Sequence, residues 1–477
     1  MLFNSIPFVI LVALTFSIYY LSAFRSFQVQ ILICSSIIFY GYSQPYLLLL
    51  LISSASINAI VSYRVAPTEA TYRKTIATLG VVFNLLVLAF FKYNKLLDGI
   101  VYAPASEVGQ LVNFALMLPL PIGISFYTFQ GISLVMDVYS PSQNGKGKIE
   151  IADNFFTHYK KVLFFIAFFP QLVAGPIVKA HSFFPQIKDK YFKDVDLAYV
   201  LQTLILGYFL KSVIADNLKD QTFWIAAPYF ETKSSLTLVV MLFGYSMQIF
   251  ADFAGYSLIA IGIAALFGYK LPQNFNFPYI SRSIAEFWRR WHISLSSWLK
   301  EYLYIGLLGG NKKGNIRTYV NLIVVMFLGG MWHGAALSFG IWGLWHGLGL
   351  AVERGLTKNK DPDIPDGFFK QLVQITFVFS FVSFGWLLFK LTNIKEAISY
   401  LAAIGGNLGI RNDFDIILNV AVYSIPVLLY HLQYLARNSR FGGVGILERG
   451  HSFIYALLLI LVLVNGGIPG EFVYFQF

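Results

Sequence analysis

Long apolar segments without charged residues constrain this chain more than any other feature of its sequence. No charged side chain occurs between Arg25 and Arg64, and none between Thr318 and Ala351. An α-helix needs about 20 apolar residues to cross the hydrocarbon core of a bilayer, which is about 30 Å thick. The first stretch is long enough for two such helices, with Gln44-Pro45 as the turn between them. Segments of this kind predict membrane-spanning helices.

The composition of the whole chain also predicts an integral membrane protein. Of its 477 residues, 57% are hydrophobic and only 12% are charged, whereas soluble domains carry about 25% charged residues. So few polar side chains cannot cover a soluble protein of this size, which argues against disorder, nucleic-acid binding and a soluble fold. We expect an all-α polytopic membrane protein with roughly eleven spans, and re-entrant or interfacial helices around a central funnel or tunnel.

The basic residues orient the predicted spans. The net charge is +11, and the positive-inside rule places Lys and Arg mainly in cytoplasmic loops. Arg25 follows the first apolar segment, and Arg64 belongs to the next basic loop. These loops put the N-terminus outside, and the arginines before the last apolar segment (Arg437, Arg440 and Arg449) put the C-terminus outside as well. No soluble domain or repeat is visible, so residues 1–477 are expected to form a single membrane domain.

A basic and aromatic segment stands out between residues 282 and 317. If residues 287–302 formed one helix, its tryptophans would share one face and its basic residues would lie on the others, as in an amphipathic helix at the membrane interface. Residues 282–317 include seven basic and two acidic side chains, a net charge of +5. Two interpretations remain open: attraction to anionic lipids with control of topology, or a cytoplasmic mouth that attracts a polyanion such as coenzyme A.

Two histidines fall in the uncharged stretch that follows. Histidine within a span is rare and usually functional, and a neutral imidazole, with a pKa of about 6.5, suits a general base in acyl transfer. His333 and His346 are thirteen positions apart, so one continuous helix would point them about 220° apart, which does not favour shared metal ligation. His333 is the candidate functional residue. For His346, a structural bond to a backbone carbonyl is as well supported as a functional role.

Two further features carry both a structural and a functional interpretation. Asp252 lies in an apolar segment, where an ion pair or hydrogen bond to another helix is favoured over catalysis. The tail 471–477 carries three phenylalanines around Tyr474, and from its residues alone it is an aromatic anchor. A proton-coupled transporter using Asp252 and the histidines is the alternative function from another class. The single cysteine excludes an internal disulfide and a multi-cysteine metal site.

These segments resemble the membrane-bound O-acyltransferase (MBOAT) superfamily, and within it the bacterial branch of polysaccharide O-acetylases typified by alginate O-acetylase. The resemblance covers most of the chain and is strongest in the signature region 245–350. Its blocks are Pro121–Tyr127, Ala174–Ile177, Asp252–Ser257, Pro278-Tyr279, Glu286–Ser296, Leu303-Tyr304, Gly309–Asn311 and Trp332–Gly334. A lone Trp-His-Gly is a weak signal, whereas the ordered set is specific.

The resemblance implies an activity and a set of site residues. In this family the histidine that matches His333 is regarded as catalytic, and the one that matches His292 is the second signature position. The tail is similar to an FxYxxF motif whose tyrosine, here Tyr474, is proposed to relay the acyl group. The implied reaction moves an acetyl group from cytosolic acetyl-CoA to an extracytoplasmic polysaccharide of the alginate, peptidoglycan or cellulose type. A periplasmic SGNH-type partner completes the transfer.

The implied donor site coincides with the basic segment 282–317. We expect acetyl-CoA there as donor substrate, with these candidate binding residues: Arg289, Arg290, Trp291, Lys300 and Asn311. The expected location is the bacterial inner membrane, among membrane lipids, and neither a metal nor a nucleic acid is expected. Acylation of a lipid or a protein is the alternative within enzymes. The enzyme interpretation requires His333 to be reachable from water.

Overall fold

The chain is built from α-helices and short 3-10 and π-helical turns, with no β-strand among the residues that the structure describes. The computed structural model describes residues 1–42, 44–66, 70–97, 119–140, 149–173, 175–312, 314–357, 367–437, 451–468, 470 and 472. The helices are α1 (Ile6–Tyr19), α2 (Gln28–Gly41), α3 (Leu47–Val65), α4 (Ala70–Leu97), α5 (Ile124–Tyr139), α6 (Phe155–Ala167), α7 (Phe169–Leu172), α8 (Ala180–Phe183), α9 (Leu197–Tyr208), α10 (Asp216–Thr222), α11 (Ser235–Leu266), α12 (Ile284–Arg290), α13 (Ile293–Trp298), α14 (Asn315–His333), α15 (Leu337–Thr357), α16 (Phe368–Lys390), α17 (Ile394–Gly406), α18 (Phe414–Arg437) and α19 (His451–Val464). The π-helical turns are Phe209–Ala215 and Leu299–Leu307.

Seven helical segments in the described part of the chain are long and apolar enough to cross a bilayer. They are Ser22–Gly41, Leu47–Val65, Tyr72–Asn94, Leu197–Ile225, Ser235–Leu266, Phe368–Lys390 and Phe414–Leu435. Two shorter apolar helices, Ile6–Tyr19 and Ser452–Val464, add to these. The prediction of an all-α multi-pass membrane protein is confirmed, whereas the number of roughly eleven spans stays a prediction.

The chain divides into two compact units. The first comprises Met1–Val200 and Ala260–Pro272, and the second comprises Leu201–Ile259 and Gln273–Phe477. Helices α9 and α11 contribute residues to both units. That the whole of 1–477 forms one membrane domain stays a prediction, and the signature region 245–350 falls mostly in the second unit.

Helix α3 is central to the first unit, where it packs against α4, α5 and α6. Buried polar side chains connect these helices. The Asn58 and Asn84 amides exchange hydrogen bonds of 3.1 and 2.9 Å between Nδ2 and Oδ1 atoms. The Ser62 hydroxyl lies 2.8 Å from Nε2 of His158 on α6. Because lipid offers no hydrogen bonds, such pairs stabilise helix contacts within a membrane.

The second unit contains a tight helical hairpin formed by α14 and α15. Helix α14 ends at His333, and α15 begins at Leu337, so the uncharged stretch is two antiparallel segments rather than one helix. A Cβ atom added at Gly330 would lie 2.2 Å from the carbonyl oxygen of Phe339 and 3.0 Å from Cα of Gly343. The two backbones therefore approach closely because these positions carry no side chain.

The prediction of one amphipathic helix over residues 287–302 is wrong. Helix α12 ends at Arg290, and Trp291 has an extended conformation with φ −101° and ψ 130°. His292 adopts the left-handed conformation with φ 43°, and α13 begins after it. Trp291 and Trp298, expected on the membrane-facing side, are only 1% and 5% exposed. Their burial against protein, rather than lipid, explains the tryptophan spacing in this segment.

Candidate active site

A cavity of about 730 Å³ lies in the second unit, among α12, α13, α14 and α15. Buried apolar residues form much of its wall, together with the buried His333: Leu295, Leu299, Val325, Met326, Gly329 and Trp342. The cavity also has an exposed basic rim, formed by Arg289, Lys300 and Arg354. No acidic residue lines it in the part of the chain that the structure describes. The cavity connects a buried imidazole with a cationic surface.

His333 is the last residue of α14 and is only 5% exposed. Its ring centroid lies 5.0 Å from that of Trp332, 5.2 Å from that of Trp342 and 5.1 Å from that of Phe389. These three rings pack around the imidazole, which still lines the cavity. His333 lines the same cavity as the basic rim, as the enzyme interpretation requires, and access of water to its ring stays a prediction.

His292 lies at the turn between α12 and α13, where Asn274 holds it. Its Nδ1 atom is 3.0 Å from Oδ1 of Asn274, which also accepts from the Ser294 N–H at 3.3 Å and the Ser294 hydroxyl at 2.8 Å. A backbone N–H only donates, so this Asn274 atom is the acceptor oxygen and His292 Nδ1 carries the donated proton. Burial lowers the pKa of His292 to about 3. Its ring is therefore neutral, with Nε2 as the acceptor nitrogen.

His292 does not line the cavity, in contrast to His333. Its ring centroid lies 6.2 Å from that of Trp332, the residue before His333. On another side, the ring of Phe253 lies 4.6 Å away. Both signature histidines thus lie near the ring of Trp332, and of the two only His333 lines the cavity among the described residues.

The hairpin brings His346 to the same aromatic cluster as His333. The ring centroid of Trp342 lies 4.9 Å from that of His346 and 5.2 Å from that of His333. The indole N–H of Trp288 donates to Nδ1 of His346 at 3.3 Å. His346 is therefore buried with an indole as its partner at Nδ1, rather than the backbone carbonyl of the structural alternative, and the choice between a structural and a functional role stays open.

The five predicted donor-binding residues divide into two groups. Arg289, Lys300 and Asn311 line the cavity together with His333, and the hydroxyl of Tyr304 donates to Oδ1 of Asn311. These residues come from α12, the π-helical turn and the loop before α14, which explains their wide spacing in the sequence.

Arg290 and Trp291 are not among the residues that line this cavity. Arg290 forms an ion pair with Glu286 through Nε at 2.9 Å and lies over the ring of Tyr434. Trp291 packs against Trp386, with ring centroids 4.8 Å apart. Both have roles in the packing of the unit, and their predicted role in binding the donor stays a prediction.

Asp252 forms the ion pair that its apolar surroundings predict. Its Oδ1 atom lies 2.8 Å from Nζ of Lys211, and both side chains are almost fully buried. The predicted ion pair of Asp252 is thereby confirmed, whereas the proton relay of the transporter alternative is not tested by it. Lys211 itself was missed, although a lysine inside an apolar segment is the same signal that singled out Asp252.

Other residues of the site were also missed by sequence reasoning. Arg354 joins the basic rim, and its only sequence signal is that it follows the end of the uncharged stretch. Asn274 belongs to none of the motifs in the sequence. Its role is to hold His292, which is 18 positions away. Tyr474 lies outside the described residues; within the tail, Phe472 is described and is fully buried.

The fold and the site define an integral membrane enzyme in which a buried imidazole lies on a cavity with a cationic entrance. The model of the MBOAT, membrane-bound O-acyltransferase family matches residues 114–392 of this chain. The chain belongs to the membrane-bound O-acyltransferase family, as its motifs predict. The matched region includes His292, His333 and every predicted donor-binding residue.

Several bacterial proteins are similar to this chain over most of its length. It is 33% identical over 460 residues to a peptidoglycan O-acetyltransferase of Helicobacter pylori, covering 86% of this chain and 83% of the relative. It is 36% identical over 405 residues to a probable alginate O-acetylase AlgI of Pseudomonas aeruginosa, covering 83% and 73%. A teichoic acid D-alanyltransferase of Bacillus subtilis is 30% identical over 280 residues, covering 56% of this chain and 68% of the relative.

Proposed function

We propose that this protein transfers acetyl groups from cytosolic acetyl-CoA to hydroxyl groups of an extracytoplasmic polysaccharide. The observation that carries the proposal is the cavity that joins the basic rim to His333. The names of the two relatives that acetylate peptidoglycan and alginate support a polysaccharide as the final acceptor. The polymer is of the peptidoglycan, alginate or cellulose type.

The cavity matches the chemistry of the donor. Coenzyme A carries several phosphate charges, and Arg289, Lys300 and Arg354 present three cations at the rim. The apolar wall would accept the uncharged arm of the donor, which brings its thioester to the imidazole. The basic rim also favours a cytoplasmic position by the positive-inside rule, in an inner membrane where both chain termini lie outside.

The first transfer step uses His333 as general base. The hydroxyl of Tyr474 attacks the thioester carbonyl while His333 accepts the phenolic proton. The carbon–sulfur bond breaks, and the coenzyme A thiolate takes that proton from the imidazolium. A phenol, with a pKa of about 10, is more easily deprotonated than an aliphatic alcohol. The product is an aryl ester, which is still a good acyl donor.

The position of the tail supports Tyr474 as the acceptor. Phe472 is fully buried, and its ring centroid lies 5.5 Å from that of Phe253, which in turn contacts His292. In a second transfer, a periplasmic SGNH-type partner takes the acetyl group from Tyr474 onto its serine and passes it to sugar hydroxyls.

Replacement of the cavity histidine tests the proposal. His333→Ala should lower polymer acetylation at least about 100-fold, because general base catalysis contributes about 10²- to 10⁴-fold. Acetylation is measured on polysaccharide from cells that carry the variant as their only copy, with membrane abundance as the check on folding. His158→Gln is the matched control, since His158 belongs to the first unit and does not line the cavity. Full acetylation by His333→Ala would disprove the mechanism.

Two further measurements separate the alternatives. Tyr474→Phe removes the acceptor hydroxyl, so persistent acetylation would mean direct transfer to the partner serine and would reduce the tail to an anchor. A transporter would move substrate across liposomes without consuming acetyl-CoA. Comparison of peptidoglycan, alginate-type and cellulose-type polymers, with and without this protein, identifies the acceptor.

A further inference from the structure

Three buried charged side chains lie together in the second unit, away from the lining of the cavity. Lys211 belongs to the π-helical turn Phe209–Ala215, Asp216 begins α10, and Asp252 lies on α11. Lys211 Nζ lies 2.7 Å from Oδ1 of Asp216 and 2.8 Å from Oδ1 of Asp252. Each side chain is 2–3% exposed. Buried charges within membrane helices are costly and usually mark a function, and the proposed transfer steps do not use these.

The C-terminal segment completes the coordination of this cluster. The Lys211 ammonium donates to the carbonyl oxygen of Gly470 at 3.2 Å and to Oδ1 of Asp216 at 2.7 Å, and it forms an ion pair with Asp252. The Gly470 N–H donates back to Oδ1 of Asp216 at 3.3 Å. An ammonium has three N–H donors and no acceptor. One of the acceptors around this ammonium thus comes from the far end of the chain.

Two further hydrogen bonds hold the same segment against the π-helical turn and against α10, which follows it. The Gly467 N–H donates to the carbonyl oxygen of Ser212 at 2.8 Å, and Nδ2 of Asn217 donates to the carbonyl oxygen of Asn465 at 3.1 Å. In this turn the Asp216 N–H bonds to the Lys211 carbonyl, five residues earlier. Such π-helical turns are frequent at functional sites, and here the turn both carries the lysine and receives the segment.

The segment then enters the protein interior. Phe472 is fully buried, and its ring centroid lies 4.5 Å from that of Tyr256. The same Tyr256 ring lies 5.4 Å from Nζ of Lys211. An anchor at the membrane interface would expose its aromatic rings to lipid. The burial of Phe472 favours a segment that is held in place instead.

We infer that Lys211, Asp216 and Asp252 form a latch that holds the C-terminal segment at Gly470 and so positions the motif tyrosine that follows in the sequence. They act as positioning residues, since the sequence places the motif tyrosine two residues after Phe472. The consequence for acetyl transfer rests on the proposed function. The binding of the C-terminal segment to the latch does not rest on the proposed function, because it is measured without any acetyl transfer.

A steric substitution tests the latch without changing its charges. A Cβ atom at position 467 would lie 2.9 Å from the backbone nitrogen of Asn217 and 3.0 Å from Cβ of Asp216. Backbone atoms of a helix cannot move aside easily, so Gly467→Ala displaces the segment. We expect a loss of acetylation of at least tenfold at unchanged membrane abundance. Gly409→Ala, which meets no atom of the described chain within 4 Å, should keep the rate within twofold. Wild-type acetylation by Gly467→Ala would overturn the inference.

A disulfide provides a second test that reports docking directly. A Cβ atom at position 466 would lie 4.0 Å from Cβ of Ser212, within the range of about 3.5–4.5 Å for disulfides. With Cys34→Ser as background, we expect Ser212→Cys with Gly466→Cys to cross-link under mild oxidation. Adding Lys211→Met should slow the cross-link at least tenfold, as seen by mass spectrometry. Equal cross-linking rates would overturn the latch.

The cross-link also separates the latch from the proposed function. Lys211→Met should lower acetylation, and oxidation to the disulfide should restore it to at least half the rate of the oxidised parent. A cross-linked but inactive Lys211→Met protein would overturn the positioning role. If the disulfide itself blocks the reaction, the cross-linked parent transfers no acetyl group. In that case the wild-type protein without the cross-link tests the proposed function, and the cross-linking rates still test the latch.

Discussion

The close contact between α14 and α15 predicts how sensitive the cavity histidine is to small displacements. In Gly330→Ala the new Cβ atom would lie 2.2 Å from the carbonyl oxygen of Phe339. A carbon and a carbonyl oxygen in contact lie about 3.3 Å or more apart. Because the obstruction is backbone on both sides, the two helices must separate by about 1 Å at this point.

The separation acts on His333, which lies three residues beyond Gly330 on the same helix. A displacement of about 1 Å at a reacting group can lower a rate about 100-fold, and overpacking of a core costs about 1–3 kcal/mol of stability. We therefore expect acetyl transfer to fall about 100-fold, with the loss in kcat rather than in KM for acetyl-CoA. The reason is that the basic rim lies mostly on other elements.

The assay compares initial rates of purified wild type and variants in lipid nanodiscs over a range of acetyl-CoA concentrations. Gly340→Ala is the matched control on the same hairpin, because its Cβ atom would meet only the side-chain atoms Cε2 of Phe327 at 3.1 Å and Sδ of Met331 at 3.2 Å. These side chains can shift, so the control should lose less than threefold. A Gly330→Ala protein with more than half the wild-type rate, or equal losses in both variants, would refute the reasoning.

Three other perturbations have defined outcomes. Arg354→Gln should raise the KM for acetyl-CoA about 1.5- to 5-fold, since an exposed charge contributes about 0.2–1 kcal/mol. Steady-state kinetics should show that this increase in KM becomes smaller in about 1 M salt. Trp288→Phe removes the donor to Nδ1 of His346 and should cost about 1–3 kcal/mol; an unchanged melting temperature would contradict this. The Lys233–Asp413 pair, at 2.8 Å, holds the pKa of Asp413 below its usual value. The stabilisation by this pair is present above the unfolded-state pKa of about 3.9 and is lost as the pH falls through the lower folded-state pKa. Between about pH 6 and 3, the melting temperature of Lys233→Met should therefore depend less on pH than that of the wild type.

Much of the fold and part of the site follow from the sequence alone. Spans are predictable because bilayer thickness fixes the length of an apolar helix. Asp252 is predictable because a charge in an apolar segment needs a partner. His333, Arg289 and Lys300 could be chosen by residue type and motif, and they line one cavity.

The remaining features depend on contacts between distant parts of the chain. The break at His292 arises where Asn274 binds the turn from 18 positions away, which no local periodicity records. The hairpin at His333 depends on backbone contact between Gly330 and the following helix. Lys211 donates a hydrogen bond to the carbonyl oxygen of Gly470, which lies 259 positions further along the chain. Local hydrophobic patterns identify segments, but they do not identify such partners.

The ion cluster around Lys211 has a consequence for how the protein is made. Lys211, Asp216 and Asp252 are synthesised and inserted into the bilayer long before the ribosome reaches Gly470. During that interval the ammonium lacks the Gly470 carbonyl as an acceptor, so the nascent chain carries a donor whose hydrogen bond within the finished protein has not yet formed. A product cut short before residue 465 keeps that defect permanently. Membrane quality-control proteases would therefore remove truncated chains in preference to those that have received their final acceptor.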